Sequence, residues 1–251
     1  MAAKPLEGQV ALVTGAARRV GRSIALRLAA EGADVIVNYN TSHADAESVA
    51  AQIRAAGSKA AVIKADVSKR DEVRALFTSI EREFGRLDIL VNNAGLFFSS
   101  KFEDLTDEQW DTVMDANLKS QFLCAQAAAA IMKKQPAHNR SAAVKGRIIN
   151  ISSLGGLLAW PAYTHYCVSK AGVIMLTRCL ARALGPDILV NSVAPGTIQF
   201  PGEAPDEDYI RRVPLHRTGT GDDIADAVIY LATANFVTGQ IIAVDGGRML
   251  V

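Results

Sequence analysis

The sequence has few cysteines and no histidine cluster. Three cysteines, Cys124, Cys167 and Cys179, occur in 251 residues, and an odd number without paired metal spacing is untypical of a disulfide framework or a structural zinc site. We expect reduced core thiols in a cytoplasmic protein. The four histidines, at positions 43, 138, 165 and 216, show no ligand spacing, so no metal is predicted. His165 is expected at the surface or at a pocket rim.

The chain also lacks an excess of either charge and lacks a long apolar run. Its 27 Lys and Arg residues nearly balance 26 Asp and Glu residues, and no basic run would attract nucleic acid or an anionic membrane. No segment approaches the apolar length that spans a bilayer, and residues 1–7 contain no signal-peptide-like run. We therefore predict a small-molecule substrate, no nucleic-acid or membrane partner, and a cytoplasmic location.

Short apolar runs rich in Val and Ile recur along the whole chain. Continuous rather than alternating apolarity is typical of strands that are covered on both faces, as in a parallel sheet. The predicted strands cover residues 10–13, 35–37, 60–63, 89–91, 148–151, 188–190 and 241–244.

Helical patterns with their own start and stop signals separate these runs. The segments 21–31, 44–56 and 68–84 are each followed by a glycine, the residue that best adopts the left-handed conformation after a helix. Thr106 and Gln109 form a capping-box pattern that opens a helix predicted to run to residue 132. A further helix begins near residue 166 and ends at 184.

The alternation of strands and helices predicts the fold class. We expect an α/β protein with a Rossmann-type, doubly wound parallel sheet of about seven strands and helices on both faces. Residues 1–251 would form a single nucleotide-binding domain. The polar stretch 134–146 is predicted to be a surface loop, and the irregular stretch 199–221 a substrate lid whose acidic residues form a solvated face.

A glycine-containing turn directly after the first strand indicates a phosphate site. It reads Thr14-Gly15-Ala16-Ala17-Arg18-Arg19-Val20-Gly21. Glycine lets the backbone approach a pyrophosphate that rests on the positive end of the following helix. Its spacing is not the usual dinucleotide fingerprint, and an ordinary strand-to-helix turn is the alternative.

The end of the second strand favours NADP (NADPH) over NAD. An NAD enzyme usually has a carboxylate there for the ribose hydroxyls, but this strand ends Asn38-Tyr39-Asn40-Thr41-Ser42. Arg18 and Arg19 come from the adjacent turn, and arginine binds phosphate well. The alternative is that these arginines are solvated surface charges.

Tyr166 and Lys170 form a candidate acid/base pair. Residues four apart on a helix lie on one face, so the ammonium would lie beside the phenol and lower its pKa from roughly 10. Taken alone, the spacing could equally be chance.

Motifs near the carboxyl ends of successive predicted strands resemble the short-chain dehydrogenase/reductase family. They are Thr14-Gly15-x-x-x-Arg19-x-Gly21, Asp66-Val67, Asn92-Asn93-Ala94-Gly95, Asn117, Ser153, Tyr166, Lys170 and Pro195-Gly196. The resemblance extends from residue 10 to residue 247 and makes chance an inadequate explanation of the tyrosine and lysine pair.

The resemblance implies a catalytic role for four residues. Tyr166 would exchange a proton with the substrate oxygen, and Ser153 would hydrogen-bond that oxygen. Lys170 would lower the pKa of the phenol and hold the nicotinamide ribose. Asn117 would position a water that links Lys170 to solvent.

The resemblance also implies a set of cofactor contacts in addition to Tyr166 and Lys170. Asp66 and Val67 would meet the adenine, residues 93–95 the adenosine side, and residues 195–198 the carboxamide. The full set is Gly15, Arg18, Arg19, Val20, Gly21, Asn38, Tyr39, Asn40, Ser42, Asp66, Val67, Asn93, Ala94, Gly95, Pro195, Gly196, Thr197 and Ile198.

The implied activity is NADPH-dependent reduction of a ketone, of 3-oxoacyl type or similar, bound at Ser153, Phe97 and Tyr166. Pteridine reductases, one branch of the family, share Arg19 and Phe97, on which that branch stacks its pterin. That branch usually has aspartate in place of Ser153. Pteridine reduction is therefore the alternative, with Phe97 and Phe98 otherwise a hydrophobic wall, and a non-catalytic NADP-binding regulator is a third possibility.

The helical stretches 110–132 and 168–184 are unusually rich in Ala, Leu and Val. In the family the equivalent helices pair across a two-fold axis. The expectation is a homotetramer or a homodimer, with core burial in a monomer as the alternative.

Overall fold

One parallel sheet contains strands from both ends of the chain. A computed structural model describes residues 4–137 and 144–251. The sheet has seven strands in the order β3-β2-β1-β4-β5-β6-β7, every neighbouring pair parallel. This confirms the predicted fold class. The strands are β1 (Val10–Val13), β2 (Asp34–Tyr39), β3 (Ala60–Lys64), β4 (Ile89–Asn92), β5 (Gly146–Ile151), β6 (Ile188–Pro195) and β7 (Ile241–Val244).

Eight α-helices lie among the described residues, and the glycine stop signals are confirmed. Gly32, Gly57 and Gly85 have φ of 100°, 95° and 70°, the left-handed conformation expected after a helix. No described helix is both long enough and apolar enough to cross a bilayer. The helices are α1 (Arg19–Ala30), α2 (His43–Ala55), α3 (Arg70–Phe84), α4 (Asp107–Met114), α5 (Ser120–Met132), α6 (Thr164–Leu184), α7 (Glu207–Arg212) and α8 (Gly221–Thr233).

Two apolar layers cover the sheet. Alternate residues of each strand point to opposite faces, so Ala11 and Val13 pack with α1, α2 and α8, whereas Val10 and Leu12 pack with α3, α5 and α6. Burial on both faces explains why the strands read as continuous apolar runs.

The helix predicted from Thr106 to residue 132 is interrupted. The capping box is present, with Gln109 N donating to Thr106 Oγ1 at 3.3 Å. A π-helical turn, Asp115–Lys119, separates α4 from α5. The wider turn inserts residues into the helical path, a feature frequent at functional sites, and it contains Asn117.

The stretch 199–221 is more ordered than predicted. It contains α7, whose first turn is capped because Tyr209 N donates to Asp206 Oδ1 at 2.9 Å. Glu203 pairs with Arg19. The acidic residues were expected to form a solvated face, and Glu203 and Asp206 are exposed as expected, although each also has a specific partner. We call residues 199–221 the lid below.

The polar stretch 134–146 is only partly described, because residues 138–143, which include His138, lie outside the described ranges. Gln135 is buried, contrary to the expected surface loop. Its Nε2 donates to the carbonyl oxygens of Leu87 and Lys145, both at 2.8 Å, and its Oε1 accepts from Leu87 N at 3.0 Å. The side chain therefore satisfies backbone groups at the amino end of β4.

The three cysteines are free, but they are not all in the core. Cys124 is buried, Cys167 is half-buried and Cys179 is exposed. Burial raises the pKa of the Cys124 thiol to about 12, which keeps it protonated at neutral pH. The expectation of core thiols holds for that residue only.

Candidate active site

The candidate site lies at the carboxyl edge of the sheet, where the strand order reverses. The strands β1 and β4 are neighbours in the sheet. The chain continues from β1 to β2 on one side of this pair and from β4 to β5 on the other side, an arrangement that opens a crevice between β1 and β4. Two of the cavities at this edge form the candidate site. The turn cavity, about 620 Å³, is lined by the β1–α1 turn with Gly15, and the tyrosine cavity, about 420 Å³, by Ser153 and Tyr166.

Two side chains clamp the β1–α1 turn onto the segment after β4. Thr14 Oγ1 accepts from the amides of Asn93 at 2.9 Å and Ala94 at 3.0 Å. Asn93 Nδ2 donates to the carbonyl oxygens of Thr14 at 2.9 Å and Gly15 at 3.1 Å. A Cβ on Gly21 would lie 2.3 Å from the Gly15 oxygen, so only glycine fits there. The clamp fixes the amino end of α1 at the turn cavity.

The turn cavity brings together most of the predicted cofactor contacts. Tyr39 and Ser42 do not line it. The Tyr39 side chain belongs to the apolar layer with α1, α2 and α8, because alternate residues of β2 face opposite sides, and Ser42 directly precedes α2. The predicted residues that do line it are Gly15, Arg18, Arg19, Val20, Gly21, Asn38, Asn40, Asp66, Val67, Asn93, Ala94 and Gly95.

Six further residues of this cavity were missed. Ala65, Ser68 and Leu96 follow strand ends, so the rule that ligands bind at carboxyl ends of strands could have found them. The other three lie at the end of α4 and in the π-helical turn, and no signal in the sequence predicts that turn. The six are Ala65, Ser68, Leu96, Thr112, Asp115 and Ala116.

Asn38 and Arg18 shape the cavity beside the end of β2. Asn38 is buried, accepts from Gly15 N at 3.3 Å and donates to the Ala65 oxygen at 3.1 Å, so its amide links the turn to the end of β3. Arg18 Nε donates to Asp45 in the first turn of α2 at 2.6 Å. The rim therefore contains a guanidinium, and β2 itself ends without a carboxylate.

Asp66 contributes an ionised carboxylate to the same rim. Its Oδ1 accepts from Ser68 N at 3.1 Å and from Ser68 Oγ at 2.7 Å. Burial acts to raise the pKa of Asp66, but these hydrogen bonds and the charge of Lys69 outweigh it and hold the pKa below its usual value.

Arg19 contacts the lid rather than the rim beside β2. Its backbone is left-handed, with φ of 51°, its guanidinium lies 4.3 Å from the centroid of the Phe200 ring, and it pairs with Glu203. The residue lines both cavities. Without cofactor the side chain lies against an aromatic face and a carboxylate of the lid, and its contact with a 2′-phosphate stays a prediction.

Ser153, Tyr166 and Lys170 converge at the end of β5. Ser153 follows β5 and accepts from Gly155 N at 3.0 Å. Tyr166 lies in the first turn of α6, and Lys170 Nζ, one turn later, is 5.8 Å from the centroid of its ring. The buried ammonium donates to the Ile151 carbonyl oxygen at 2.9 Å. Strand end and helix face therefore present two hydroxyls to the tyrosine cavity, with a cation behind them.

Asn117 is fully buried beside this group. Its Oδ1 accepts from Leu96 N at 2.6 Å, and its Nδ2 donates to the Leu96 oxygen at 3.0 Å and to Ser169 Oγ at 3.1 Å. The side chain thus joins the π-helical turn, the segment after β4 and α6.

Aromatic rings surround Tyr166. Phe97 meets its ring edge-on at 4.7 Å, and Trp160 lies nearly parallel to it at 6.2 Å. Phe97 also stacks on Tyr163 at 4.7 Å. Such a wall suits a flat or an apolar substrate equally. Of the predicted carboxamide contacts, Gly196, Thr197 and Ile198 line this cavity, and Pro195, buried at the end of β6, does not.

Comparison with known proteins gives consistent matches over almost the whole chain. A family model described as enoyl-(acyl carrier protein) reductase matches residues 15–248. The 3-oxoacyl-[acyl-carrier-protein] reductase FabG of Staphylococcus aureus is 43% identical over 248 residues, 96% of this chain and 98% of that protein. A mutant short-chain dehydrogenase/reductase of Serratia marcescens has a TM-score of 0.89 at 35% identity, covering 97% and 99%. The chain belongs to the short-chain dehydrogenase/reductase family.

Membership in the short-chain dehydrogenase/reductase family makes the chain an oxidoreductase that acts on CH–OH or C=O groups with a nicotinamide cofactor, as predicted. A 3-oxoacyl-[acyl-carrier-protein] reductase of Synechocystis, 39% identical over 98% of each chain, extends the match. The residues present fit such a cofactor, since the turn cavity opens at the amino end of α1, which favours a pyrophosphate, and adjoins the tyrosine cavity through Arg19 and Val20.

The pKa of the Tyr166 phenol is raised in this family member, whereas the sequence predicted that it would be lowered. Burial raises the pKa of the phenol, and the hydrogen bond with Ser153 opposes the rise only in part. Burial also lowers the pKa of Lys170 to about 8. The expected net lowering of the tyrosine pKa is wrong for the free protein, because burial outweighs the Ser153 hydrogen bond, while the Lys170 ammonium donates to the Ile151 carbonyl oxygen.

His165 is not at the surface. It is fully buried, with its ring centroid 4.8 Å from that of Phe98, and burial lowers the pKa of its imidazole. Its place on the inner side of the first turn of α6 explains the difference. Within residues 4–137 and 144–251 no group of three His, Cys, Asp or Glu side chains could hold a metal ion.

Lys170 provides a pH-dependent test of this geometry. Its folded pKa of about 8 lies below the ordinary 10.5, so the unfolded chain binds the proton more tightly. The charged group therefore opposes folding below pH 8, and the opposition is relieved as pH rises toward 10.5, by about 3 kcal/mol in all. Between pH 7 and pH 10.5 the unfolding free energy of the unmutated protein should rise relative to Lys170→Met.

Urea unfolding of both proteins without cofactor measures this difference. Lys101→Met, at an exposed position, is the control, and its difference from the unmutated protein should not change with pH. A difference for Lys170→Met that stays constant over the same range would contradict the buried, perturbed ammonium.

Proposed function

We propose that this short-chain dehydrogenase/reductase reduces a 3-oxoacyl-type ketone to the alcohol with NADPH. The observation that carries the proposal is the convergence of Ser153 and Tyr166 on one cavity, backed by buried Lys170 and adjoining the turn cavity. Two hydroxyls on one small space suit a single carbonyl oxygen.

Each residue has a role in this reaction. The reduced nicotinamide, when bound, supplies hydride to the carbonyl carbon. Tyr166 gives its phenolic proton to the oxygen of that carbonyl, and Ser153 donates a hydrogen bond to the same oxygen. The phenol holds this proton at neutral pH before reaction, because burial keeps its pKa above the usual value. Lys170 stabilises the phenolate that remains, and Asn117 positions Leu96 and α6 around it.

The substrate assignment is supported by the relatives and by Ser153. The proteins from Staphylococcus aureus and Synechocystis are named as 3-oxoacyl reductases, whereas the matching family description names an enoyl reductase. A hydroxyl pair is needed where charge develops on oxygen, as in ketone reduction. Phe97 contacts the Tyr166 ring in this cavity and could stack on a pterin, so pteridine reduction is the alternative to test.

Tyr166→Phe should separate catalysis from packing. We expect a loss of about 10²–10⁴-fold in kcat toward a neutral acetoacetyl thioester, because the general acid is gone while the ring remains. Cofactor affinity should change little. Tyr163→Phe, which alters a tyrosine of the same aromatic cluster, is the matched control and should retain activity.

NADPH oxidation, followed by absorbance, measures the rates. The same assay with a crotonyl thioester and a dihydropteridine compares the three activities. Near-full turnover by Tyr166→Phe would overturn its role as acid, and preference for either of the other substrates would overturn the ketone assignment.

NADPH as the cofactor is supported by the rim beside β2. It contains Arg18 and lacks a carboxylate at the strand end, so a 2′-phosphate would meet a cation there. Arg19, held by the lid, is the less direct candidate.

Arg18→Ala should therefore reduce NADPH affinity by about tenfold or more, the loss typical of a charge-assisted hydrogen bond, and leave NADH affinity nearly unchanged. Titration of both cofactors by calorimetry measures this. Arg22→Ala is the control, since Arg22 donates to Gln52 on the surface of α2. Equal affinity of the unmutated protein for the two cofactors would refute the assignment.

We also propose a homotetramer in the cytoplasm. Exposed apolar side chains on the outer faces of α5 and α6 support the assembly, among them Phe122, Val168 and Met175, which are 39%, 42% and 56% exposed. Val168 and Met175 are seven residues apart and share one face of α6.

Met175→Glu should shift the protein to smaller oligomers or monomers, because it places a charge on the apolar face of α6 that we propose is buried between subunits. Light scattering coupled to size exclusion measures the mass. Leu215→Glu, an exposed apolar residue of the lid, should leave assembly unchanged. A monomeric unmutated protein would contradict the proposal.

A further inference from the structure

Three arginines from three different structural elements line the tyrosine cavity. Arg19 comes from the start of α1, Arg212 from the end of α7, and Arg248 from the short helical turn after β7. Among the described residues Asp206 is the one carboxylate that lines this cavity, and it caps α7 by accepting from Tyr209 N. The ionisable side chains around the cavity are therefore predominantly cationic.

The arginines near this cavity differ in whether a carboxylate neutralises them. Arg19 pairs with Glu203, Arg211 with Asp208, and Arg217 with Asp223. The last two do not line the tyrosine cavity.

Arg212 and Arg248 do line it, and within residues 4–137 and 144–251 neither pairs with an Asp or Glu side chain. Arg212 Nε donates to the backbone oxygen of Asp208 at 3.0 Å, and Arg248 Nη1 donates to the backbone oxygen of Val251 at 2.5 Å. Neither acceptor belongs to a side chain, and both guanidinium groups retain further donors.

The rest of the wall strengthens the effect of these charges. Leu154, Leu158, Trp160 and Ile198 give the cavity an apolar lining, and low-dielectric walls focus the field of nearby charges. A neutral ketone would use the apolar wall and the two hydroxyls but not the guanidinium groups.

We propose that Arg212 and Arg248 bind an anionic group of the substrate while its ketone lies at Ser153 and Tyr166. The proposal rests on the proposed function, which makes this cavity the substrate site. A carboxylate at the far end of an oxoacyl chain and the phosphate of a pantetheine arm share the required chemistry. Guanidinium groups bind both in a bidentate manner.

Matched substrates test the proposal on the NADPH-saturated enzyme. The neutral reference is the N-acetylcysteamine thioester of acetoacetate. One anionic arm is acetoacetyl-4′-phosphopantetheine, and the other is the N-acetylcysteamine thioester of 3-oxoadipate, compared with its methyl ester. We expect kcat/KM for at least one anionic substrate to exceed that of its neutral counterpart by about tenfold, and the advantage to shrink with added salt.

The double variant Arg212→Leu/Arg248→Leu should bring the ratio of anionic to neutral kcat/KM close to one. Arg211→Leu is the matched control on the same helix, and it should keep the ratio of the unmutated enzyme. The arm that loses its advantage identifies whether carboxylate or phosphate is bound. An anion advantage that persists in the double variant, or its absence from the unmutated enzyme that reduces the neutral thioester, would overturn the inference.

A binding measurement that needs no turnover separates this inference from the proposed function. Adipate, compared with neutral adipamide, is titrated into the NADPH-bound protein by calorimetry, with Trp160 fluorescence as a second signal from the cavity wall. If no thioester is reduced but adipate binding depends on the arginine pair, the 3-oxoacyl activity fails and the anion site stands. If adipate and inorganic phosphate bind no better to the unmutated protein than to the double variant, the anion site fails.

Discussion

The clamp between Thr14 and Asn93 is the contact on which the site depends. Parallel strands bring their carboxyl ends to one edge, but that alone leaves the turns after β1 and β4 free to separate. Four hydrogen bonds of 2.9–3.1 Å hold these turns together. They bring the amino end of α1 to the turn cavity and the segment 94–97 to the tyrosine cavity. The two cavities therefore adjoin each other, with Arg19 and Val20 lining both.

Burial sets the electrostatics of the catalytic group. Lys170 is buried without a carboxylate partner among the described residues, which lowers its pKa to about 8. Tyr166 loses water as well, and its pKa rises. The phenol holds the proton that a ketone reduction needs, and the ammonium behind it would stabilise the negative charge that the phenol then acquires. The same burial requires that Asn117 and Ser169 satisfy each other and the backbone around them.

The arginines divide among distinct tasks because their carboxylate partners differ in position. Asp45 holds Arg18 beside the end of β2, and Glu203 holds Arg19 over Phe200 in the lid. Arg212 and Arg248 donate to backbone oxygens, have no Asp or Glu partner among the described residues, and line the tyrosine cavity. Arginines therefore line both cavities: Arg18 lines the turn cavity, Arg212 and Arg248 line the tyrosine cavity, and Arg19 lines both.

Local sequence determined the fold and the identity of the site. The apolar runs, the glycine stops after α1, α2 and α3, and the Thr106 capping box are short-range signals, each decided by the preferences of a few adjacent residues. The order of the family motifs along successive strand ends then indicated which side chains meet, because parallel strands present all their carboxyl ends at one edge.

Only the tertiary structure decided the features that depend on distant partners. The π-helical turn with Asn117, the burial of His165, the exclusion of Tyr39 from the turn cavity and the contact of Arg19 with the lid arise between residues far apart in the chain. The pKa shift of Tyr166 belongs with them, because a spacing of four residues places the ammonium near the phenol but does not reveal how deeply the fold buries both.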